Sequence, residues 1–234
     1  MVGECILPDH RNKMDGLEFM SHFGDSTVKV AFFDPQYRGL LEKMSYGNEG
    51  QNRFKRRYQL KQMPEEIISA FISQIDRVLV PSGHLFLWMD KFRLCEGFLH
   101  WLAGSKLQVV DMIMWYKGRI GMGYRTRRTC EPVVVLQKSP KRAKGVWKDH
   151  RIPDVWEEEP TRNQTHPHIK PVRLQRRLIE AVSMEGDWVL DPAAGSFSVM
   201  RATKLAGRRF WGCDVVIDPD LFSFVRQRCA YVLC

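Results

Sequence analysis

The sequence pattern predicts a doubly wound α/β domain. Three observations carry this. Short, apolar runs alternate with segments of helical period along most of the 234 residues. Two of those runs stop at Asp-Pro, once at Asp34-Pro35 and once at Asp191-Pro192. The second stop opens a turn of small residues leading into a helical segment, and ligands of open α/β sheets bind beyond such strand ends.

The elements follow in chain order. Residues 28–33 (VKVAFF) are nearly all apolar, as a buried parallel strand is. Residues 38–62 are polar, glycine-bearing and basic towards the end, and read as a long loop or a weakly ordered insert, of a kind that is usually functional. Pro64 and two following glutamates open a helix whose apolar residues are Ile67, Ile68, Phe71, Ile72, Ile75 and Leu79. Pro81-Ser82-Gly83 reads as a turn, 84–88 as a strand and 92–102 as a helix. Strands are predicted at 109–115 and 133–137, separated by a stretch rich in glycine and arginine. Residues 138–165 mix basic, proline and acidic patches and read as irregular surface. Pro171 opens a helix with Val172, Leu174, Leu178, Ile179 and Val182 on its apolar face. A strand at 188–190, a helix at about 197–206, a strand at 209–214 and a helix at 219–233 complete the pattern. Trp88, Trp101 and Trp115 lie in apolar runs and are assigned to the core, and His84 to a structural role.

Composition narrows the function. The apolar fraction is 44%, which suits a packed domain and excludes a disordered chain. No run approaches the ~18 apolar residues of a membrane span. The N-terminal stretch lacks a basic-then-apolar signal pattern, and the six cysteines form no CxxC pair. A reducing, cytoplasmic protein without a zinc site or disulfide framework is expected. Lys and Arg number 36 against 27 Asp and Glu, a net charge of +9, which favours a polyanionic partner.

The chemistry concentrates at the two Asp-Pro stops. Small residues at 193–196 let a ligand approach the backbone, and the following helix offers free N–H groups. The next strand ends at Asp214, placed to bind ribose hydroxyls. The glycine pattern is not GxGxxG and no Walker lysine is present, which argues against NAD and ATP. At Asp34-Pro35-Gln36-Tyr37, a carboxylate, a backbone carbonyl and an aromatic ring can receive a flat ring bearing an exocyclic amine. No cluster has metal-ligand spacing.

Four segments in order carry a family resemblance. AFFDPQY resembles the catalytic DPPY motif of amino-methyltransferases, and GRIGMGYRTRRTCEPVVVLQK resembles the strand preceding their cofactor motifs. HPHIKPVRLQRRLIEAVS is similar to their HPTQKP-type helix start, and VLDPAAGSFSV to the DPFxGSGT cofactor loop. The motif order resembles the circularly permuted β class of DNA amino-methyltransferases. That resemblance implies one methyltransferase domain over 1–234, with a mostly parallel seven-stranded sheet and S-adenosylmethionine as cofactor. By position it implies that Asp34 and the Pro35 carbonyl hold the target amine and that Tyr37 stacks on a flipped base. Asp191, Pro192, Ala193, Gly195, Ser196 and Phe197 would line the cofactor's methionine end, Asp34 would also touch the cofactor, and Asp214 would bind its ribose. His168, Lys170 and Pro171 would help close the pocket. Two positions depart from the family pattern: Gln36 replaces the second proline, and Phe197-Ser198 replaces Gly-Thr.

Asp at the first motif position goes in the family with adenine N6, and Ser with cytosine N4, so adenine is expected. A base must leave the duplex to be reached, which requires a grip on the backbone. Arg53, Lys55, Arg56 and Arg57, with Arg125, Arg127 and Arg128, are the expected phosphate contacts. The expected DNA-contacting inserts, 38–62 and 138–165, are short, and a homodimer is implied to complete recognition of duplex DNA. Glu131 is a candidate partner for Arg127 or Arg128. Cytosine-N4 methylation, RNA methylation and a non-catalytic DNA-binding subunit are the competing functions.

Overall fold

A computed structural model describes residues 6–36, 63–121, 125–161 and 169–217. In chain order these form β1 (Asn12–Lys13), α1 (Gly16–Ser21), β2 (Val28–Phe33), α2 (Glu65–Val78), β3 (Leu79–Trp88) and α3 (Lys91–Glu96). A 3-10 turn (Leu99–Leu102), β4 (Leu107–Tyr116), β5 (Cys130–Lys138) and β6 (Val155–Glu157) come next. They are followed by α4 (Val172–Val182), β7 (Trp188–Asp191), α5 (Ser198–Leu205) and β8 (Arg209–Asp214). The helix expected at 219–233 lies outside the described residues. No helix among the described residues is long and apolar enough to cross a membrane.

The strands form one sheet in the order β1-β8-β7-β2-β3-β5-β4-β6. All neighbours pair parallel except β5, which is antiparallel to both β3 and β4. Successive side chains of β2 point to opposite faces, and both faces are apolar. Ala31 and Phe33 pack in one layer with Phe19 and Met20 of α1 and Ile68, Phe71, Ile72 and Ile75 of α2. Val30 and Phe32 pack in the other with Leu174, Leu178 and Ile179 of α4 and Val199, Met200 and Ala202 of α5. Trp88, Trp101 and Trp115 are buried, as their runs predict.

The topological switch falls between β7 and β2. From β7 the chain passes through α5 to β8 on one side; from β2 it reaches β3 on the other. The crevice beyond the carboxyl ends of these strands is the fold's natural ligand site. Gly16 seats α1 beneath one wall of it. A Cβ there would lie 2.3 Å from the Pro192 carbonyl oxygen and 2.4 Å from Phe71 Cε1. Asp15 caps the helix, accepting from the Leu17 and Glu18 N–H groups.

Among the described residues the sheet holds eight strands rather than seven. The extra edge strand, β6, and β1 have three and two residues, too few to leave a period in the sequence. Pro81-Ser82-Gly83 is not a turn. β3 runs through it with Ser82 at φ 61°, and the register with β2 jumps from Val28↔Leu79 to Val30↔His84. This is a bulge, which sequence punctuation alone does not separate from a turn. The helix expected over 92–102 is broken, because Gly97 at φ 95° ends α3 and the chain restarts as the 3-10 turn. The described part of the 138–165 insert runs along α4. Trp147, Ile152 and Trp156 pack against the core there. Glu158 accepts from the N–H groups of Arg173 and Leu174 at the start of α4.

His84 is 2% exposed, with ring centroids 6.3 Å from Phe86 and 5.8 Å from Trp147. Burial, then the nearby Lys29 charge, pulls its pKa from 6.5 down to about 4. The folded state thus binds the proton less well than the unfolded chain. The stabilisation is present above pH 6.5 and is lost as pH falls towards 4. Urea midpoints between those values should fall for the wild type. His84→Phe should remove on the order of 2 kcal/mol of that pH dependence.

Candidate active site

The two Asp-Pro stops meet at the switch point. Asp34 follows β2 directly, with Pro35 buried and Gln36 exposed. The Gln36 carbonyl accepts from the Met63 N–H at 2.6 Å, which ties together the two chain ends flanking residues 37–62. Asp191 ends the adjacent β7, whose register with β2 is Val30↔Val189 and Ala31↔Leu190. Tyr37, Arg53, Lys55, Arg56, Arg57 and His168 lie outside the described residues.

The loop after β7 is fastened to the end of β8. The Ala194 N–H donates to the Cys213 carbonyl at 2.9 Å, and the Gly195 N–H to Asp214 Oδ2 at 2.8 Å. Asp214 Oδ1 accepts from the Val216 N–H at 2.9 Å. A carboxylate has about four acceptor directions, so Asp214 retains capacity for a ligand. Gly195 has φ 48°, and a Cβ built there would meet nothing within 4 Å, so the loop borders open space. Ala193 and Ser196 are half-buried, and Pro192 and Pro171 are buried.

Phe197 stands where the family pattern has glycine, and it adopts the conformation glycine favours, φ 55° and ψ 31°. Its ring is 1% exposed and meets Phe210 edge-on with centroids 6.3 Å apart. The Arg11 guanidinium lies 5.4 Å from the ring centroid. Phe197 therefore contributes backbone to the loop and side chain to the core, and burial compensates the left-handed strain.

Asp191 is 5% exposed and accepts from the Ala193 N–H at 3.4 Å. Burial, with the charges of Asp214 and Asp34 nearby, pushes its carboxyl well above the usual carboxylate range. A site with Asp34, Asp191 and Asp214 at neighbouring strand ends is built to receive positive charge.

Lys170, just before α4, is the counter-charge. Its Nζ lies 3.1 Å from Asp34 Oδ2 and also bonds Glu131 Oε1. Glu131 Oε2 accepts from Lys117 Nζ at 2.6 Å. Glu131 thus pairs with two lysines rather than with Arg127 or Arg128. The sequence gives little sign of this, because the four groups come from four separate parts of the chain. The only hint is a glutamate at the head of an otherwise apolar strand. Arg125 and Arg127 are exposed. Arg128 packs inward, its guanidinium 5.6 Å from the Phe92 ring centroid and 3.9 Å from Asp90 Oδ2. Among the described residues no group of His, Cys, Asp and Glu could hold a metal ion.

A doubly wound sheet with its switch-point loop bound to an acidic strand end, facing an Asp-Pro turn from the preceding motif, defines a methyltransferase-type domain in permuted order. The chain belongs to the N6/N4 DNA methylase family, whose model matches residues 28–217. It is 53% identical over 211 residues to the type II methyltransferase M.HhaII of Haemophilus parahaemolyticus, covering 90% of this chain and 92% of that one. Its fold matches the crystal structure of the M1.HpyAVI–SAM complex with TM-score 0.64 at 19% identity, over 94% of this chain and 98% of that one. It also matches the cytosine-N4-specific PvuII DNA methyltransferase with TM-score 0.66 at 13% identity, over 91% and 90%.

Truncating Phe197 separates its strain from its burial. Phe197→Gly should destabilise the protein by roughly 2–3 kcal/mol, the loss of a buried ring less the relief of left-handed strain. Phe197→Ala should cost about 1 kcal/mol more, because alanine keeps the strain. Urea unfolding of both variants measures the order.

Proposed function

We propose that this DNA methylase transfers a methyl group from S-adenosylmethionine to the exocyclic N6 of adenine flipped out of duplex DNA. The observation that carries the reading is Asp34 at the end of β2, beside the β7–β8 cofactor loop and paired with Lys170. In the permuted family an aspartate at this motif position goes with adenine. The likeness to the PvuII enzyme is one of fold and carries no choice of base.

The residues present fit the cofactor. The buried Asp191 carboxyl, raised by burial and then by its acidic neighbours, suits a cationic ligand. The open space at Gly195 leaves room along the loop, and Asp214 lies where ribose hydroxyls would be bound. Asp191, Pro192, Ala193, Gly195 and Ser196 would hold the methionine end, with Lys170 and Pro171 closing the far side. The bound group supplies a sulfonium methyl that needs no further activation.

In this reading the protein's task is placement. Asp34 and the Pro35 carbonyl accept the two N–H groups of the target amine, drawing its lone pair out of ring conjugation and towards the methyl donor. Tyr37 stacks on the flipped ring, and Gln36 adds a hydrogen-bonding group where the family has proline. The extra proton on the methylated nitrogen leaves to Asp34 or to water. Arg53, Lys55, Arg56 and Arg57, with Arg125 and Arg127, grip phosphates while the base is out. The domain acts over the whole of 1–234 as a homodimer in a reducing, cytoplasmic setting. Exposed Val109, Val110 and Met112 on β4 favour self-association.

Nucleoside mass spectrometry of unmethylated duplex DNA incubated with protein and S-adenosylmethionine should show N6-methyladenine. Asp34→Ala should reduce it at least ~10²-fold. N4-methylcytosine instead would move the assignment to cytosine. Cofactor affinity should rise with pH as the Asp191 carboxyl ionises, and calorimetry should find that dependence flattened in Asp191→Asn.

A further inference from the structure

We propose that Lys117 and Glu131 are positioning residues for the acceptor site, holding the Lys170 ammonium partly off Asp34 so that this carboxylate stays available to the target amine. The inference rests on the reading of Asp34 as the group that receives the base.

The geometry is a chain of alternating charge drawn from four elements. Lys117 lies one residue past β4, Glu131 at the second position of β5, Lys170 just before α4 and Asp34 just past β2. Lys117, Glu131 and Lys170 keep 26%, 22% and 12% of their side-chain surface exposed, whereas Asp34 keeps 36%. The chain therefore runs from partly covered groups to the one that faces the crevice. Two indoles underlie it. The Lys170 ammonium lies 4.9 Å from the Trp88 ring centroid and that of Lys117 lies 4.7 Å from the Trp115 centroid. The two rings meet edge-on with centroids 6.0 Å apart. Each cation is attracted to an aromatic face, and the apolar walls strengthen every charge interaction above them.

A Lys170–Asp34 pair standing alone in such surroundings would close into a tight contact pair, with the ammonium occupying the acceptor directions that the amine needs. A second carboxylate on the far side of the ammonium divides its protons between two partners. That second carboxylate would itself be too negative for a covered site without its own cation, which Lys117 provides. Two positive and two negative groups then balance. Burial alone would raise the Glu131 carboxyl, but Lys170 and Lys117 outweigh it and hold the carboxyl below its usual range. Burial alone would lower the Lys170 ammonium, but Asp34 and Glu131 outweigh it and raise it. Both groups stay ionised at working pH, so the chain is a fixed scaffold and not a proton path.

The test uses Glu131→Gln and the charge-balanced double variant Lys117→Met/Glu131→Gln, which removes one charge of each sign and protects folding. Steady-state methylation should show kcat down about 10²-fold, the cost of a small misplacement at the reacting centre. KM for DNA and for cofactor should stay within about threefold, with kcat referred to the concentration of folded sites titrated by cofactor binding, so that an unfolded fraction does not mimic the loss. Independently of activity, acetic anhydride labelling read by mass spectrometry should find Lys170 several-fold more reactive in both variants, with exposed Lys141 and Lys144 as unchanged references. Wild-type kcat in a folded double variant, or unchanged Lys170 labelling, would overturn the inference. Wild-type protein that methylates no DNA while the labelling change still appears would instead sink the reading of Asp34 on which it rests.

Discussion

The parallel pairing of β2 with β7 is the constraint on which the site depends. Val30 opposite Val189 and Ala31 opposite Leu190 bring two strands from distant parts of the chain side by side in the middle of the sheet. Both then stop at Asp-Pro, so the two Asp-Pro turns open on one crevice. The helices that seal this arrangement lie on opposite layers, α1 and α2 against one face and α4 and α5 against the other. Because the crossovers from β7 and β2 diverge, neither layer covers the strand ends.

Bringing Asp34, Asp191 and Asp214 together in a partly dry crevice is unfavourable for the free protein. Burial first, and the charges of Asp214 and Asp34 after it, raise the Asp191 carboxyl. The chain tolerates it by fixing Asp214 with two backbone N–H bonds and by setting Lys170 against Asp34. The remaining negative potential is what a cationic cofactor would find on entering. Stability and function therefore pull in opposite directions at this edge, as they do at Phe197, where a strained backbone is held by a buried ring.

Much of this was legible in the sequence because it depends on local chemistry. Proline at a first turn, apolar period and Asp-Pro stops locate β2, α2, α4, β7, α5 and β8 with ends close to those observed. Elements of two or three residues leave no period, so β1 and β6 escaped, as did the six-residue α1. The bulge at Ser82 and the break at Gly97 turn on backbone angles that proline and glycine suggest but do not specify. At the site, Asp34, Lys170, Asp191 and Asp214 stood out by motif. The Lys117–Glu131 pair did not, since a contact across the β4–β5 pairing depends on strand register, which the intervening glycine- and arginine-rich stretch does not specify. Phe197 was legible as a departure from the family pattern, but its left-handed backbone and buried ring were not.

Cofactor and target amine are expected to meet between the ends of β7 and β2. A crystal structure of the protein soaked with sinefungin, an amine analogue of the methyl donor, tests it most directly. The amino-acid end should lie along Asp191 to Ser196, the ribose at Asp214, and the amine that replaces the methyl should point at Asp34. Density elsewhere, or an analogue whose amine faces away from Asp34, would contradict it.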